Sequence, residues 1–254
     1  MATEQWNVIF HVFRQKGDEP SHFDTFTLAV NPDEYVLDAV ERVWAFHDRS
    51  LVYRHACHHS TCGACGMRVN GVEKLTCITP IREVTRDGGE VKIEPLRNFP
   101  VVSDLTVDMT SFYQRMELAH YPPVTPVAEA PLASIPPVNG IHPAGPLAEE
   151  PSAQRLNDCI ECGMCISACP IATTTPSYLG PAILAAVQYQ GLRERPDLAP
   201  LADQEDGVWR CHSVYECTAV CPSFVDPAWR IMDLRRQVVG RRIGRFFGRK
   251  EASK

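Results

Sequence analysis

No apolar run in these 254 residues approaches the roughly 20 that a membrane-spanning helix needs. The opening residues, Met1 to Asn7, lack the basic start and apolar core of a signal peptide. An Arg-rich transit segment is missing too, which favours a bacterial source or a mature form. An overall basic balance is also absent. The net charge is −6, and it is unevenly spread: from Arg230 onward nine Lys/Arg face two Asp/Glu, a local balance of +7 that leaves −13 for the rest. Cysteine is the exception to this plain composition. There are 11, an odd number clustered at short intervals, which excludes a simple disulfide framework and argues for metal ligation in a reducing compartment. Nucleic-acid binding is not expected beside so many ligand thiols.

The densest cluster is Cys159-Ile-Glu-Cys162-Gly-Met-Cys165-Ile-Ser-Ala-Cys169-Pro170. This is the bacterial ferredoxin run, in which the fourth Cys of a two-cluster protein ligates the other cluster. A complementary run is therefore required, and Cys211-His-Ser-Val214-Tyr-Glu-Cys217-Thr-Ala-Val-Cys221-Pro222 supplies it. The two match position for position except that Val214 stands where the second thiol belongs. Cys159, Cys162, Cys165 and the distant Cys221 are expected to hold a 4Fe–4S cluster. Cys169, Cys211 and Cys217 are expected to hold the other, where Val214 offers no ligand and the corner iron is lost, leaving 3Fe–4S. A pair of zinc knuckles is the bland alternative, but zinc takes four ligands in two pairs and fits an interlocked seven-thiol set poorly.

The remaining four thiols lie upstream. Cys57-His-His-Ser-Thr-Cys62-Gly-Ala-Cys65 followed by Cys77 has the C-x4-C-x2-C…C spacing of plant-type 2Fe–2S proteins. Gly63 and Gly66 are expected to let the loop turn tightly, so that backbone N–H groups can face the cluster sulfurs. Val69-Asn-Gly-Val72 is a strong hairpin signal and would return Cys77 to the site. His55, His58 and His59 invite a Rieske-like reading. Four thiols already complete the site, however, so they read as loop histidines at a partner surface.

Around these motifs, residues 5–13 and 22–30 read as a β-hairpin across the turn-forming residues 15–20. Leu37, Val40, Val43, Trp44 and His47 give a helix over 34–48. Residues 90–95 alternate as a last strand, and a short helix is expected at 109–118. Eight prolines between 121 and 150 exclude regular helix or central strand, so that stretch reads as an extended connector lying against the protein or a partner. Gly180-Pro181 and Asp226-Pro227 then open two helices. The expected division is 1–98 for the 2Fe–2S domain, 99–150 for the connector and 151–254 for the helical domain with its basic tail.

The cysteines are thus used as sets of four, four and three, with none left over. That accounting, together with Asn98-Phe-Pro-Val-Val-Ser-Asp-Leu-Thr-Val-Asp108, Ser111-Phe-Tyr113, Gly180-Pro-Ala-Ile-Leu184, Cys211-His212 and Cys221-Pro-Ser-Phe-Val-Asp-Pro227, resembles the iron–sulfur subunit of the succinate dehydrogenase/fumarate reductase family. The resemblance spans nearly the whole chain. It implies an α+β fold: an N-terminal β-grasp, plant-type 2Fe–2S ferredoxin domain and a C-terminal all-helical dicluster ferredoxin-like domain. It implies one-electron transfer from FAD in a partner flavoprotein to quinone at a membrane anchor, on the cytoplasmic face of a bacterial inner membrane or the matrix face of a mitochondrial one. His212, Pro170 and Ser213 become quinone candidates. The family's tryptophan shortly after the Cys-Pro pair is missing, with no aromatic between Pro170 and Tyr178. The basic tail, with Ile243, Phe246 and Phe247 interleaved, is expected to touch the membrane or anchor rather than to be a solvated end. A free dicluster carrier would need neither that tail nor an apolar connector, and a zinc-stabilised scaffold with no redox role would be colourless on purification.

Overall fold

A computed structural model describes residues 4–119 and 159–247. The proline-rich stretch 121–150, the start of the second domain near 151, and Arg249 and Lys250 lie outside the described residues.

The first part of the chain builds a five-stranded mixed sheet from alternating apolar residues. Strand β1 (Trp6–Arg14) pairs antiparallel with β2 (His22–Val30) from Trp6↔Val30 to Arg14↔His22. It buries Val8, Phe10 and Val12 on one face, the period-2 pattern of a half-buried strand. Strands β3 (Gly66–Val69) and β4 (Val72–Leu75) form the hairpin expected from Asn70-Gly71, whose φ values of 51° and 83° are those of a tight primed turn. Strand β5 (Glu90–Glu94) slots between β1, to which it is parallel, and β3, giving the order β2-β1-β5-β3-β4. Helix α1 (Val36–Arg42) covers this sheet with Val36, Ala39 and Val40, all buried in one apolar core with Val8, Phe10, Leu28, Met67 and Ile93. The helix is shorter than the expected 34–48: from Val43 to His47 the backbone widens into a π turn.

The chain then passes through a small ribbon, β6 (Val101–Ser103) and β7 (Thr106–Val107), into α2 (Thr110–Leu118). The ribbon is fastened back on the sheet by Asp104, which is fully buried. Its carboxylate accepts from Arg14 Nε (3.2 Å) and from the backbone N–H groups of Gln15 (3.1 Å) and Val52 (2.9 Å).

The described part of the second half is helical. Helices α3 (Met164–Ala168) and α4 (Pro170–Thr174) follow the first Cys run, then α5 (Pro181–Gln190), α6 (Ala199–Asp203), α7 (Glu216–Ala219) and α8 (Pro227–Phe246). Ala182 to Val187 are all buried, so α5 is the apolar centre of this half, and α8 lays Ile231, Leu234 and Val238 on it. Asp226 caps α8 by accepting from the Trp229 N–H (3.2 Å), as its position before Pro227 leads one to expect. Among the described residues no helix is long and apolar enough to cross a membrane.

The C-terminal cations are less free than a solvated tail would be. Arg235 donates to the Val208 and Cys211 carbonyls, Arg241 to Leu192, and Arg242 to Asp203 while lying 4.7 Å over the Trp209 ring. The tail is therefore a continuation of α8 through Phe246, with much of its charge spent on packing.

Candidate functional site

The first thiol group sits on the loop between α1 and the β3–β4 hairpin. His58, Ser60 and Gly63 take positive φ (59°, 62° and 70°), curling the backbone so that the N–H groups of His59 (3.5 Å), Thr61 (3.3 Å) and Cys62 (3.4 Å) converge on Cys57 Sγ. Such a nest favours negative charge on sulfur. It draws the Cys57 thiol down to about 6, the His59 N–H contributing most. Gly66 has no such role. It opens β3 with ordinary φ, so the expectation that it shapes the turn is not met. Cys77 returns after β4, where Thr76 donates to the Cys65 carbonyl from both N (3.3 Å) and Oγ1 (2.9 Å). Burial pushes the Cys77 thiol up to about 12, and Cys65 and Cys57 are its charged neighbours. The four upstream thiols thus share one site.

The seven downstream thiols fall into two groups that cross between the runs. Cys159, Cys162, Cys165 and Cys221 line one apolar cavity with Ala182, Ala185, Val225 and Phe112. Burial raises Cys159 to about 11 and Cys162 to about 12, and each is raised further by the charge of Cys221. Burial also raises Cys165, Cys169 and Cys217, the last to about 12, where Cys169 and Cys211 add their repulsion. The Val225 N–H faces Cys221 Sγ (3.4 Å) and the Ser213 N–H faces Cys211 Sγ (3.5 Å). Thiols packed like this ionise only when positive charge is supplied among them. A sulfur-only donor set with backbone N–H groups at the sulfurs fits iron–sulfur clusters, and fits them in three places.

The three places touch. A Cβ built on Gly63 would lie 2.8 Å from Cys162 Cβ and 3.0 Å from both Cys162 Cα and the Ile160 carbonyl, so the first loop rests directly on the second. Helix α3, which carries Cys165, in turn packs on α7, which carries Cys217. The two halves are clamped alongside this line. Asn98 Nδ2 donates to the carbonyls of Ile166 (2.7 Å), Ser167 (3.2 Å) and Cys169 (3.2 Å), while the buried Ser167 hydroxyl donates to the buried Glu73 (2.7 Å) and accepts from the Arg97 N–H (2.8 Å).

Known proteins share these two domains. Residues 9–114 match a family described as a 2Fe-2S iron-sulfur cluster binding domain, and residues 155–225 one described as a 4Fe-4S dicluster domain. The fumarate reductase iron-sulfur subunit of Mycobacterium tuberculosis is 34% identical over 226 residues, covering 86% of this chain and 87% of the relative. A succinate dehydrogenase [ubiquinone] iron-sulfur subunit of Oryza sativa is 31% identical over 241 residues, covering 89% of this chain and 73% of the relative. The chain belongs to the iron–sulfur subunits of the succinate dehydrogenase/fumarate reductase family. Its fold agrees with a chain of the Mycobacterium smegmatis Sdh1 complex, with a TM-score of 0.74 at 24% identity, covering 94% of this chain and 98% of that one.

The features singled out near Cys211 are less uniform than the thiols. In this iron–sulfur subunit His212 and Pro170 are exposed, while Ser213 is half-buried with its hydroxyl 3.2 Å from Met232 Sδ. Val214 is 48% exposed between two positive-φ residues, Ser213 and Tyr215. Exposed Tyr215 lies beside it, and Phe224 and Trp229 stand exposed on the neighbouring loop and the start of α8. Trp209 gives its indole N–H to Asp203 (2.9 Å). Sequence reasoning missed two residues that brace the sites. Tyr178 is buried against Cys211, Cys169 and Cys217. Arg230 is buried and donates to the Val225 carbonyl (3.1 Å) and to Gln188 Oε1 (2.8 Å), fixing the turn that carries Cys221. An arginine in the first turn of an otherwise apolar helix face was the available signal for the second; a tyrosine eight residues after Pro170 carries no comparable one.

Proposed function

We propose that this subunit carries electrons one at a time between a flavoprotein and quinone in a succinate:quinone oxidoreductase. Cys57, Cys62, Cys65 and Cys77 would hold a 2Fe–2S cluster, and Cys159, Cys162, Cys165 and Cys221 a 4Fe–4S cluster. Cys169, Cys211 and Cys217, with no thiol at Val214, would hold a 3Fe–4S cluster. Bound clusters supply one-electron redox chemistry, which lets a flavin's electron pair leave singly. The chain's own residues hold the sites in contact, exclude water from the two downstream ones and aim N–H groups at the sulfurs. The observation that carries the reading is that the three thiol sets adjoin: Gly63 rests on Cys162, and α3, which carries Cys165, packs on α7, which carries Cys217.

The dicarboxylate and FAD belong on the flavoprotein partner in this reading, as the family to which the chain belongs implies. The anchor and the membrane, at the cytoplasmic face of a bacterial inner membrane, belong beside Cys211. There Val214, Tyr215, Phe224 and Trp229 leave apolar surface exposed, and the far end of α8 adds Ile243, Phe246 and Phe247. His212 and Pro170, both exposed and each next to a thiol of the third set, remain quinone candidates with Ser213. Operation as a fumarate reductase is the second reading, favoured by relatives of that name at 34–35% identity. The test is succinate-dependent quinone reduction by the native complex, set against fumarate reduction from quinol. Succinate oxidation is expected to be the faster direction. Cys62→Ser or Cys165→Ser should abolish quinone reduction while an artificial acceptor at the flavin still turns over. Quinone reduction that survives both substitutions would overturn the proposal.

A further inference from the structure

Three ligand-type side chains meet outside the thiol sites. Glu41 lies on α1, and His55 and His58 flank Cys57 on its loop. His55 Nδ1 is 3.1 Å from His58 Nε2, and Glu41 Oε1 is 3.4 Å from His55 Nδ1 and 3.3 Å from His58 Nε2. Those separations have a simple meaning. An ion held tetrahedrally by nitrogen and oxygen at ~2.0–2.1 Å spaces its ligands by ~3.3–3.4 Å. Two edges of the triangle match one face of such a tetrahedron, and the third, between the two rings, is a hydrogen-bonded 3.1 Å that opens slightly on taking an ion.

The local packing holds it in that form. The His55 ring stacks on Tyr53, with centroids 5.1 Å apart and planes 18° apart, and meets the His58 ring edge-on at 5.2 Å. Glu41 Oε1 is shielded from solvent yet receives no hydrogen bond of proper geometry among the described residues, although two ring nitrogens stand close to it. The triad opens into a surface hollow lined also by Trp44, Val52 and Arg49, and Arg49 is drawn onto the Trp44 face, 4.2 Å from its centroid. A fourth position is left towards solvent.

We propose that Glu41, His55 and His58 form a binding site for a divalent transition-metal ion, with zinc the best match. Two imidazoles and one carboxylate suit zinc and its neighbours; calcium and magnesium ask for oxygen ligands at six or more positions. The site is separate from the cysteine sites in donor chemistry, and an ion there would fasten α1 to the loop that carries Cys57. It also gives the histidines around Cys57 a role that is neither iron ligation nor a bare surface.

The test uses the cluster-loaded complex, stripped with a mild chelator, equilibrated with one equivalent of Zn2+ and passed through a desalting column. Zinc and iron are counted by mass spectrometry, affinity is measured by calorimetry, and the zinc shell is read by X-ray absorption. Wild type should retain one zinc with an all-N/O shell near ~2.0 Å. Glu41→Gln, which keeps the side-chain shape, should weaken binding at least about tenfold, since even an outer partner's loss costs that much. His55→Ala with His58→Asn, asparagine being a residue that tolerates the left-handed backbone at 58, should abolish binding with iron content unchanged. A wild-type complex that keeps no zinc, variants that keep it equally well, or a shell with sulfur at ~2.3 Å would each overturn the proposal.

Discussion

Gly63 is where the first cluster loop bears on the second, and a single methyl group there tests the contact. In Gly63→Ala the new Cβ would stand 2.8 Å from Cys162 Cβ and 3.0 Å from two backbone atoms, none of which can swing aside as a flexible chain end would. Two costs add. The positive φ of 70° costs an L-residue ~1–2 kcal/mol. Forcing a methyl into filled space costs ~1–3 kcal/mol more. Gly88 separates them, because its φ is 69° and nothing lies within 4 Å of its virtual Cβ. Gly88→Ala should therefore show the backbone cost alone. The assay is thermal loss of circular dichroism together with bleaching of the cluster absorbance, on the same cluster-loaded chain. Stability should fall in the order wild type, Gly88→Ala, Gly63→Ala, and Gly63→Ala alone should slow electron arrival at the downstream clusters. Equal destabilisation by the two substitutions would refute the claim that these loops are in hard contact.

Other residues make separate predictions. Ser167→Ala removes the donor to buried Glu73 and the acceptor for the Arg97 N–H, and should cost ~1–3 kcal/mol in chemical denaturation of the cluster-loaded chain. Arg230→Met leaves the Val225 carbonyl and Gln188 without their donor, so cluster iron should be lost faster from the site containing Cys221 than from the 2Fe–2S site; equal rates would count against its bracing role. In the cluster-free chain Cys57, drawn down to about 6, should be the first cysteine alkylated at pH 7. Its rate should fall as pH drops through about 6, where the thiolate is protonated, whereas Cys77, held near 12, should stay slow across that range. Val214→Cys should abolish the 3Fe–4S EPR signal of the oxidised sample and bring a 4Fe–4S signal on chemical reduction, and an unchanged oxidised signal would argue that Val214 is not the missing corner.

Much of this was legible in the chain because ligand spacing and turn chemistry are local. The Asn70-Gly71 hairpin, the Asp226 cap and the two β-strands at the start each follow from a few neighbouring residues. The crossed grouping of the downstream thiols was also legible, since a four-Cys run that ends in a proline asks for a partner run. What was not legible depends on distant packing. The π turn from Val43 to His47 shortens α1 although the apolar stripe continues, because periodicity records which face is buried and not how the backbone winds. The true turn-makers of the first loop include His58 and Ser60, residues whose type does not announce a positive φ. The basic C-terminal residues read as a surface charge, yet Arg235 and Arg241 point at carbonyls whose places are set by folding of the segments before them. The meeting of Glu41 with His55 and His58 needed the helix laid against the loop.

The most direct test of the central claim is low-temperature EPR of the native complex before and after succinate. The account predicts a 3Fe–4S signal in the air-oxidised sample that disappears when succinate is added, as electrons arriving through the upstream sites reduce that cluster. An oxidised complex that is EPR-silent with its iron intact, or a 3Fe–4S signal that succinate leaves untouched while an added artificial donor removes it, would contradict the account.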